Sequence, residues 1–454
     1  MSSFLDPRGR GWIGAGCAFF VMRRRVCFFV ALMAALAARA GDAPGGRVIT
    51  LEQAYDIALE TDQSIRIAYQ QIRQANLLTW SALTRLGPSL TGNAGYDANQ
   101  THGGGLILRD ESSNVGVNFS QPLMDFSVFP AYRYGKLAAT AARLQRQYTI
   151  RQVLYGVAGA YYQVLTQEGI VAVDQKTVDL AAQQMDVAQK RLDVGEVTRT
   201  DVLNAQVTLE NARVALIQAK NTLLLNRDTL GNILNLGGDS GFQVVTPPDY
   251  PTTIPDFAKL LAIGYRNRED LKVAALVVQE DIAKKGEVVA EYAPRIVGGA
   301  GDDYTNARGL YGPQTQVWDA NVSVSMPFLT GGQREIDLRT AREQVIEDEL
   351  SRDEVAKQVE GDVRGAWLNA RSLQDTLVSS KVAVEAAQKS YQDLVNQYQA
   401  GTSASVDVLV ALVALNTAEN NLAMQVNEYQ VALRNLEAAA GVFQEQRVQR
   451  TQIK

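Results

Sequence analysis

One register offset relates the two halves of this chain, and it limits the fold to something built twice. Gly195 is followed six residues later by Asp201-Val202-Leu203, and Gly401 is followed six residues later by Asp407-Val408-Leu409, 206 positions further on. From each site a ladder at heptad spacing begins: Val202, Leu209, Leu216, Leu223 and Leu230 in the first half, Val408, Leu415, Leu422, Tyr429 and Leu436 in the second. Side chains seven apart share one stripe of a helix, so each ladder predicts an apolar seam that packs lengthwise on another helix. Ala205, Ala212 and Ala219, with Ala411, Ala418 and Ala432, stand beside the ladders, where small side chains let neighbouring helices approach closely. A period of about 200 residues is too long for a solenoid unit and indicates a duplicated domain half.

The N-terminus constrains the compartment. Arg23-Arg24-Arg25 precede an apolar run from Val26 to Ala37, and Ala38-Arg39-Ala40 before Gly41 reads as a cleavage site, so residues 1–40 are expected to be an export signal, with Met22 as an alternative start. Removing it takes the net charge from −5 to −10, since six basic groups and one acidic group leave with it. An acidic chain without clustered Lys and Arg does not fit a nucleic-acid partner. Cys17 and Cys27 both lie in the signal, which leaves the exported chain without thiol chemistry. Gly14-Ala15-Gly16-Cys17 lacks the Leu of a lipid-attachment box and stands ahead of the basic cluster.

After the signal no apolar stretch reaches the roughly 18 residues that a transmembrane helix needs. Any membrane crossing must therefore use strands. Val115, Val117 and Phe119 alternate with Asn114, Gly116, Asn118 and Ser120, and Trp318, Ala320, Val322, Val324 and Met326 alternate with Asp319, Asn321, Ser323 and Ser325. Weaker partner strands are expected near residues 89–99 and 295–304, joined to these by Gly-rich loops at 101–112 and 306–314. Two soluble hairpins would show the same alternation, but nothing else in the chain offers a sheet for them to pack on. An apolar outer face with a polar inner one suits lipid and water, and four strands cannot close a barrel when about eight is the usual minimum. An oligomer is implied.

The helical segments are long. Residues 127–194 and 332–400 read as one helix each, about 100 Å at 1.5 Å per residue. Leu137, Leu144, Ala158 and Leu165 repeat beside Ala141, Tyr148, Tyr155 and Tyr162, a seam interrupted at Arg151. Shorter helices are expected over 51–85, 200–236, 256–291 and 405–440. The division is therefore a signal at 1–40, a first repeat at 41–245 with strands near 88–122, a second at 246–443 with strands near 294–327, and a tail at 444–454.

At this point the chain resembles the TolC family of outer-membrane efflux and secretion ducts, over residues 51–443. The resemblance rests on Gln121-Pro122-Leu123 and Met326-Pro327-Phe328 with Gly331-Gly332, and on the paired tips from Val194-Gly195 to Thr200-Asp201-Val202 and from Ala400-Gly401 to Asp407-Val408-Leu409. It implies a mostly α fold with a small β part: a homotrimer whose four strands per protomer close a 12-stranded transmembrane β-barrel, continued by a 12-helix α-barrel through the periplasm. It also implies a passive exit duct for a tripartite efflux or type I secretion system, with a periplasmic adaptor and an inner-membrane pump as partners. By the same resemblance Thr200, Asp201, Tyr398 and Asp407 belong to a periplasmic gate or constriction, and Val194, Gly195, Ala400 and Gly401 to adaptor-docking tips. The family's gate arginine is replaced by Ser403 and its second acidic ring by Val410, leaving Tyr398 to bond Asp201 or Thr200 and Asp407 to form a single carboxylate ring. From the residues alone, Asp201 and Asp407 also fit helix N-caps after a Gly turn.

Catalysis has no candidate residues. His102 is the single histidine, in a Gly-rich loop, and no nucleotide-binding loop or Cys/His metal cluster occurs. No cofactor is expected. An exported periplasmic coiled-coil structural or adaptor protein would explain the heptads but not the four strands, and a soluble secreted effector would explain the signal alone.

Overall fold

The computed structural model describes residues 48–103, 106–237, 241–247, 253–308, 314–444 and 447–448. The expected signal, with Cys17, Met22 and Cys27, lies outside the described residues, as do most of the tail and the loop glycines Gly104, Gly105, Gly309 and Gly312. By contacts the chain forms two units. Of the first, only Val48 and Gly241–Gln243 are described, and both repeats lie in the second, Ile49–Ser240 with Val244–Lys454.

The elements of this second unit come in the same order twice. Helices α1 (Leu51–Thr61) and α2 (Gln63–Thr84) lead into strands β1 (Ser89–Gly103) and β2 (Leu106–Met124), then a long helix α3 (Val128–Asp193) and its return α4 (Arg199–Ile233). Helices α5 (Phe257–Asn267) and α6 (Glu269–Ala290), strands β3 (Arg295–Arg308) and β4 (Gln314–Ser325), α7 (Gln333–Gln399) and α8 (Ser405–Ala439) repeat the series. Mostly helical content with a small sheet part matches that part of the fold class read from the sequence, while no closed sheet is formed among the described residues of a single chain.

Two expected single helices are broken. The helix over 51–85 stops at Asp62, whose backbone is extended and whose carboxylate accepts from the amides of Ser64 (2.7 Å) and Ile65 (3.1 Å), restarting α2. Its counterpart 206 residues on is Arg268, also non-helical (φ −57°, ψ 123°), held by Asp270 and by Asp362 of α7 at 2.8 Å. The helical periodicity runs through both breaks, which is why the sequence reads as continuous there.

The ladders are buried as their spacing requires: Val202, Leu209, Leu216 and Leu230 on α4, and Val408, Leu415, Tyr429 and Leu436 on α8, while Leu223 and Leu422 are half-buried. Each fully buried Val or Leu contributes about 1.5–3 kcal/mol relative to exposure. α3 packs along α4 and also along α8, and α8 along α7, so the two repeats share a helical layer. The tightest core lies midway along α3, where Ile150, Leu154, Val157, Tyr161 and Val164 are fully buried. Arg151 does not interrupt this seam. It is buried in it, its guanidinium paired with Glu269 at the start of α6 and donating to the Phe443 carbonyl at 2.6 Å. A buried charge is tolerated here because both its partners are in place.

The four strands form one antiparallel sheet in the order β1-β2-β3-β4. Pairing of β1 with β2 continues to Gly103 opposite Leu106, so the expected loop at 101–112 is mostly ladder and His102 lies on a strand. The register places Leu90, Val115, Val117, Phe119, Tyr304, Trp318, Val322 and Val324 on one face, all exposed. The opposite face carries Asn93, Asn118, Asp303, Asp319 and Asn321, for which Gly116, Gly299 and Gly301 leave room. Asp302 breaks the apolar face, with both oxygens accepting from the Gln316 amide. No helix among the described residues is long and apolar enough to cross a membrane.

Candidate functional site at the helical tips

Both long helices end by the same device. After α3, Gly195 takes φ +80°, the Gly195 amide donates to the Leu192 carbonyl and the Glu196 amide to the Arg191 carbonyl, each at 2.9 Å. After α7, Gly401 takes φ +75°, and the amides of Gly401 and Thr402 donate to the carbonyls of Tyr398 (3.1 Å) and Gln397 (2.9 Å). This left-handed turn satisfies carbonyls that the helix end leaves free, and only glycine adopts it without strain. Val194 and Ala400 are the C-cap residues between each helix and its glycine, with Val194 strongly exposed.

The returning helices start differently. Thr198 caps α4 by a reciprocal pair: its hydroxyl accepts from the Asp201 amide (3.3 Å), while the Asp201 carboxylate accepts from the Thr198 amide (2.9 Å) and hydroxyl (2.7 Å). At the matching position α8 has Ala404. There Asp407 accepts from the Ala404 amide and from the Ser403 hydroxyl, both at 3.2 Å. Both acids therefore stand at the third helical position and bond back to the cap residue, Thr198 or Ala404, instead of occupying the N-cap position expected for them.

The tip residues named from the sequence are close in the chain but not all joined. Thr200 is exposed on the first turn of α4. Tyr398 is buried, and its hydroxyl has no hydrogen-bond partner among the described residues, so within one chain it bonds neither Thr200 nor Asp201. Asp407 and Val410 are both exposed on α8, a carboxylate and an apolar side chain one turn apart on a face that the chain's own core leaves free. Val406 and Val413 extend the apolar part.

The link that does cross between repeats comes from Arg191, in the last turn of α3. Its guanidinium donates to the carbonyls of Tyr398 (2.8 Å) and Gln399 (3.0 Å) and lies 4.4 Å from the centre of the Tyr398 ring. One heptad back, the Gln184 amide donates to the Tyr391 hydroxyl at 3.3 Å. Further from the tip, buried Asp174 accepts from Asn416 and Asn420 of α8, each at 3.1 Å, and Lys176 pairs with Glu419 at 2.7 Å. Sequence reasoning missed these contacts because an Arg in a last turn reads as a partner for its own helix end. Nothing local marks a partner 207 positions away.

Near the sheet end, Asp281 of α6 and Asp348 of α7 form a carboxyl pair. The hydrogen bond to Asp281, with burial and the charge of Asp281, pushes Asp348 up to about 6. Burial alone would raise Asp281, but hydrogen bonds from Asp348 and from Lys284, 2.6 Å away, together with the Lys284 charge, hold it below its ordinary value.

A sequence profile described as outer membrane efflux protein matches residues 54–236 and 265–442. The chain is 24% identical over 413 residues to the Outer membrane protein TolC of Vibrio cholerae, covering 88% of this chain and 92% of that protein. It is equally identical over 414 residues to the Alkaline protease secretion protein AprF of Pseudomonas aeruginosa, covering 86% and 84%. Among solved structures, the outer-membrane channel OprN superposes with a TM-score of 0.72 at 19% identity over 86% of this chain and 89% of that one. The Campylobacter jejuni CmeC outer membrane channel gives 0.72 at 15% over 87% and 86%. The profile takes in both repeats, from the first turn of α1 to just beyond α8, and the chain therefore belongs to the outer membrane efflux protein family.

Proposed function

We infer that three copies of this chain assemble into a passive outer-membrane exit duct, gated at its periplasmic tips. The observation that carries this reading is the four-stranded sheet: one face bare and, apart from the Asp302–Gln316 pair, largely apolar, the other polar, and β1 and β4 with an open edge each among the described residues. A sheet in this condition is stable in lipid only once its edges are paired, and three copies supply 12 strands, enough to enclose a lumen. A second unpartnered stripe supports the same assembly. Leu203, Val207, Val214, Ile217 and Leu224 run along α4 on the side away from its buried ladder, where a helix of a neighbouring copy would cover them.

In that duct the polar sheet face lines the barrel, and the four tip helices of each protomer contribute to a 12-helix barrel in the periplasm. Asp407 from three copies forms a carboxylate ring beside a Val410 constriction, and the tips around Gly195 and Gly401 receive a periplasmic adaptor that couples to an inner-membrane pump. Efflux or type I secretion then draws its energy from those partners. The expected result on fractionation is a heat-modifiable trimer in outer-membrane fractions that needs detergent for solubility. A monomer freely soluble without detergent overturns the reading. In a planar bilayer, Asp407→Ala should weaken block of the open channel by divalent cations, and unchanged block removes the ring assignment.

A further inference from the structure

We propose that Arg191 is the positioning residue that latches the second repeat's tip to the first, in the role that Ser403 cannot take. The proposal rests on the duct reading above and names the residue that holds its gate closed. Three observations carry it.

First, the carboxylate and hydroxyl expected to link the tips are not used for that purpose. Asp201 is engaged by Thr198 of its own turn, and the Tyr398 hydroxyl has no partner among the described residues. Second, the end of α7 has a carbonyl that its own turn does not satisfy. The Gln397 carbonyl takes the Thr402 amide and the Tyr398 carbonyl takes the Gly401 amide, whereas Gln399 receives Arg191. The planar guanidinium spans two successive carbonyls at the negative end of the helix and stacks on the Tyr398 ring, a geometry that a point charge does not reproduce. Third, the contact is one-sided. The position equivalent to Arg191 is Gln397, and among the described residues no side chain of the second repeat bonds to the carbonyls of Leu192 or Asp193.

For α7 to swing away from α3 at the tip, both hydrogen bonds and the ring contact must be given up together. The Gln184–Tyr391 contact a heptad back then acts as the pivot side of the same seam. The latch therefore sets how readily the tip opens, without contributing to the barrel's assembly.

The test uses the full chain, purified as its detergent-solubilised assembly and inserted into planar lipid bilayers. Arg191→Gln and Arg191→Ala should raise the open-to-closed ratio roughly tenfold or more, as expected for losing charge-assisted bonds present only in the closed state, with the assembly's melting temperature retained. Arg191→Lys should fall between these and the wild type, and Tyr398→Leu, which keeps both carbonyls but removes the ring, should give a smaller rise. Lys190→Gln, one residue away and paired with Asp186 in its own helix, should behave as wild type. Wild-type gating in both Arg191→Gln and Arg191→Lys overturns the latch, as does a rise that merely tracks loss of thermal stability. If Arg191→Ala fails to assemble, Arg191→Gln, Arg191→Lys and Tyr398→Leu decide, with Lys190→Gln as the control. A wild-type assembly that inserts and never conducts overturns the duct reading, and the latch with it.

Discussion

At Gly195 and Gly401 the two long helices stop by the same pair of backbone bonds, yet among the described residues only the second stop receives a side chain from the other repeat. The same contrast recurs wherever the 206-residue offset is followed. Asn235 and Gly441 both take the left-handed conformation after the last helix of each repeat, and the helix breaks at Asp62 and Arg268 coincide. Backbone devices were kept in both copies, while side chains at matching positions diverged. Duplicated geometry thus supplies the frame, and the differences between the copies mark where the two repeats are fastened together.

The contrast can be broken most sharply at Arg151. Its counterpart, Lys357, is exposed on α7. Arg151→Ala would leave Glu269 buried without its partner, with an expected loss of about 3–5 kcal/mol, whereas Lys357→Ala should stay within about 0.5 kcal/mol of wild type. Thermal unfolding of the two variants side by side checks both numbers.

Gly135 offers a second comparison. A Cβ there would stand 2.7 Å from the Thr79 amide nitrogen and 2.9 Å from the Leu78 carbonyl carbon, so α2 leaves no room for a side chain on α3. Gly135→Ala should cost about 1–3 kcal/mol through this overpacking, while the reverse change at the matching position, Ala341→Gly, should cost only the helix propensity of about 1 kcal/mol. Equal losses at the two positions would mean that α2 can shift to make room.

The caps give a smaller effect with a sign that reverses. Thr198→Ala should destabilise by about 1 kcal/mol, and Ala404→Thr should stabilise by up to about that amount if the Asp407 end can form the reciprocal pair. A neutral Ala404→Thr would show that Ser403 already supplies what Thr198 does.

The slightest expected effect is with pH. Asp281 and Asp348 correspond to Ala75 and Ala142 of the first repeat, so the carboxyl pair belongs to the second alone. Because Asp348 is raised to about 6, its protonated form favours the folded state, a contribution present at low pH and lost as pH rises through that value. Asp281 is lowered and acts in the opposite sense, losing its contribution as pH falls through its folded value. Between about pH 5 and about pH 7.5 the melting temperature should therefore decline slightly, and Asp348→Asn should flatten the slope. A slope that persists in Asp348→Asn would assign the pH response to another group.

What the sequence made legible was whatever repeats locally. The heptad ladders, the glycine turns and the alternation of Val115 to Phe119 and of Trp318 to Val324 each need only a few neighbouring residues to be recognised, and the strand and helix types follow from them. The breaks at Asp62 and Arg268 escape a reading of periodicity because the apolar spacing continues across them, although Asp62 followed by Ser64 is an N-cap signal once a break is suspected. The strands around 101–112 run further than the sequence suggests, since glycines that read as loop stay on the ladder as far as Gly103 and Leu106. At the tips, the capping use of Asp201 and Asp407 is readable from the Gly-to-Asp spacing. Arg191 is not, since its partners Tyr398 and Gln399 lie more than 200 residues away and only the folded hairpins bring them together.

The Arg151 site has a consequence for biogenesis. Its guanidinium finds one acceptor 118 residues downstream and another 292 residues downstream, at Phe443. The core midway along α3 therefore cannot settle its cation through contacts near in sequence, and it closes only once both distant segments have docked. A polypeptide interrupted anywhere between the two would keep a cation in its interior one acceptor short, so this junction ties the folding of the first repeat to that of the second.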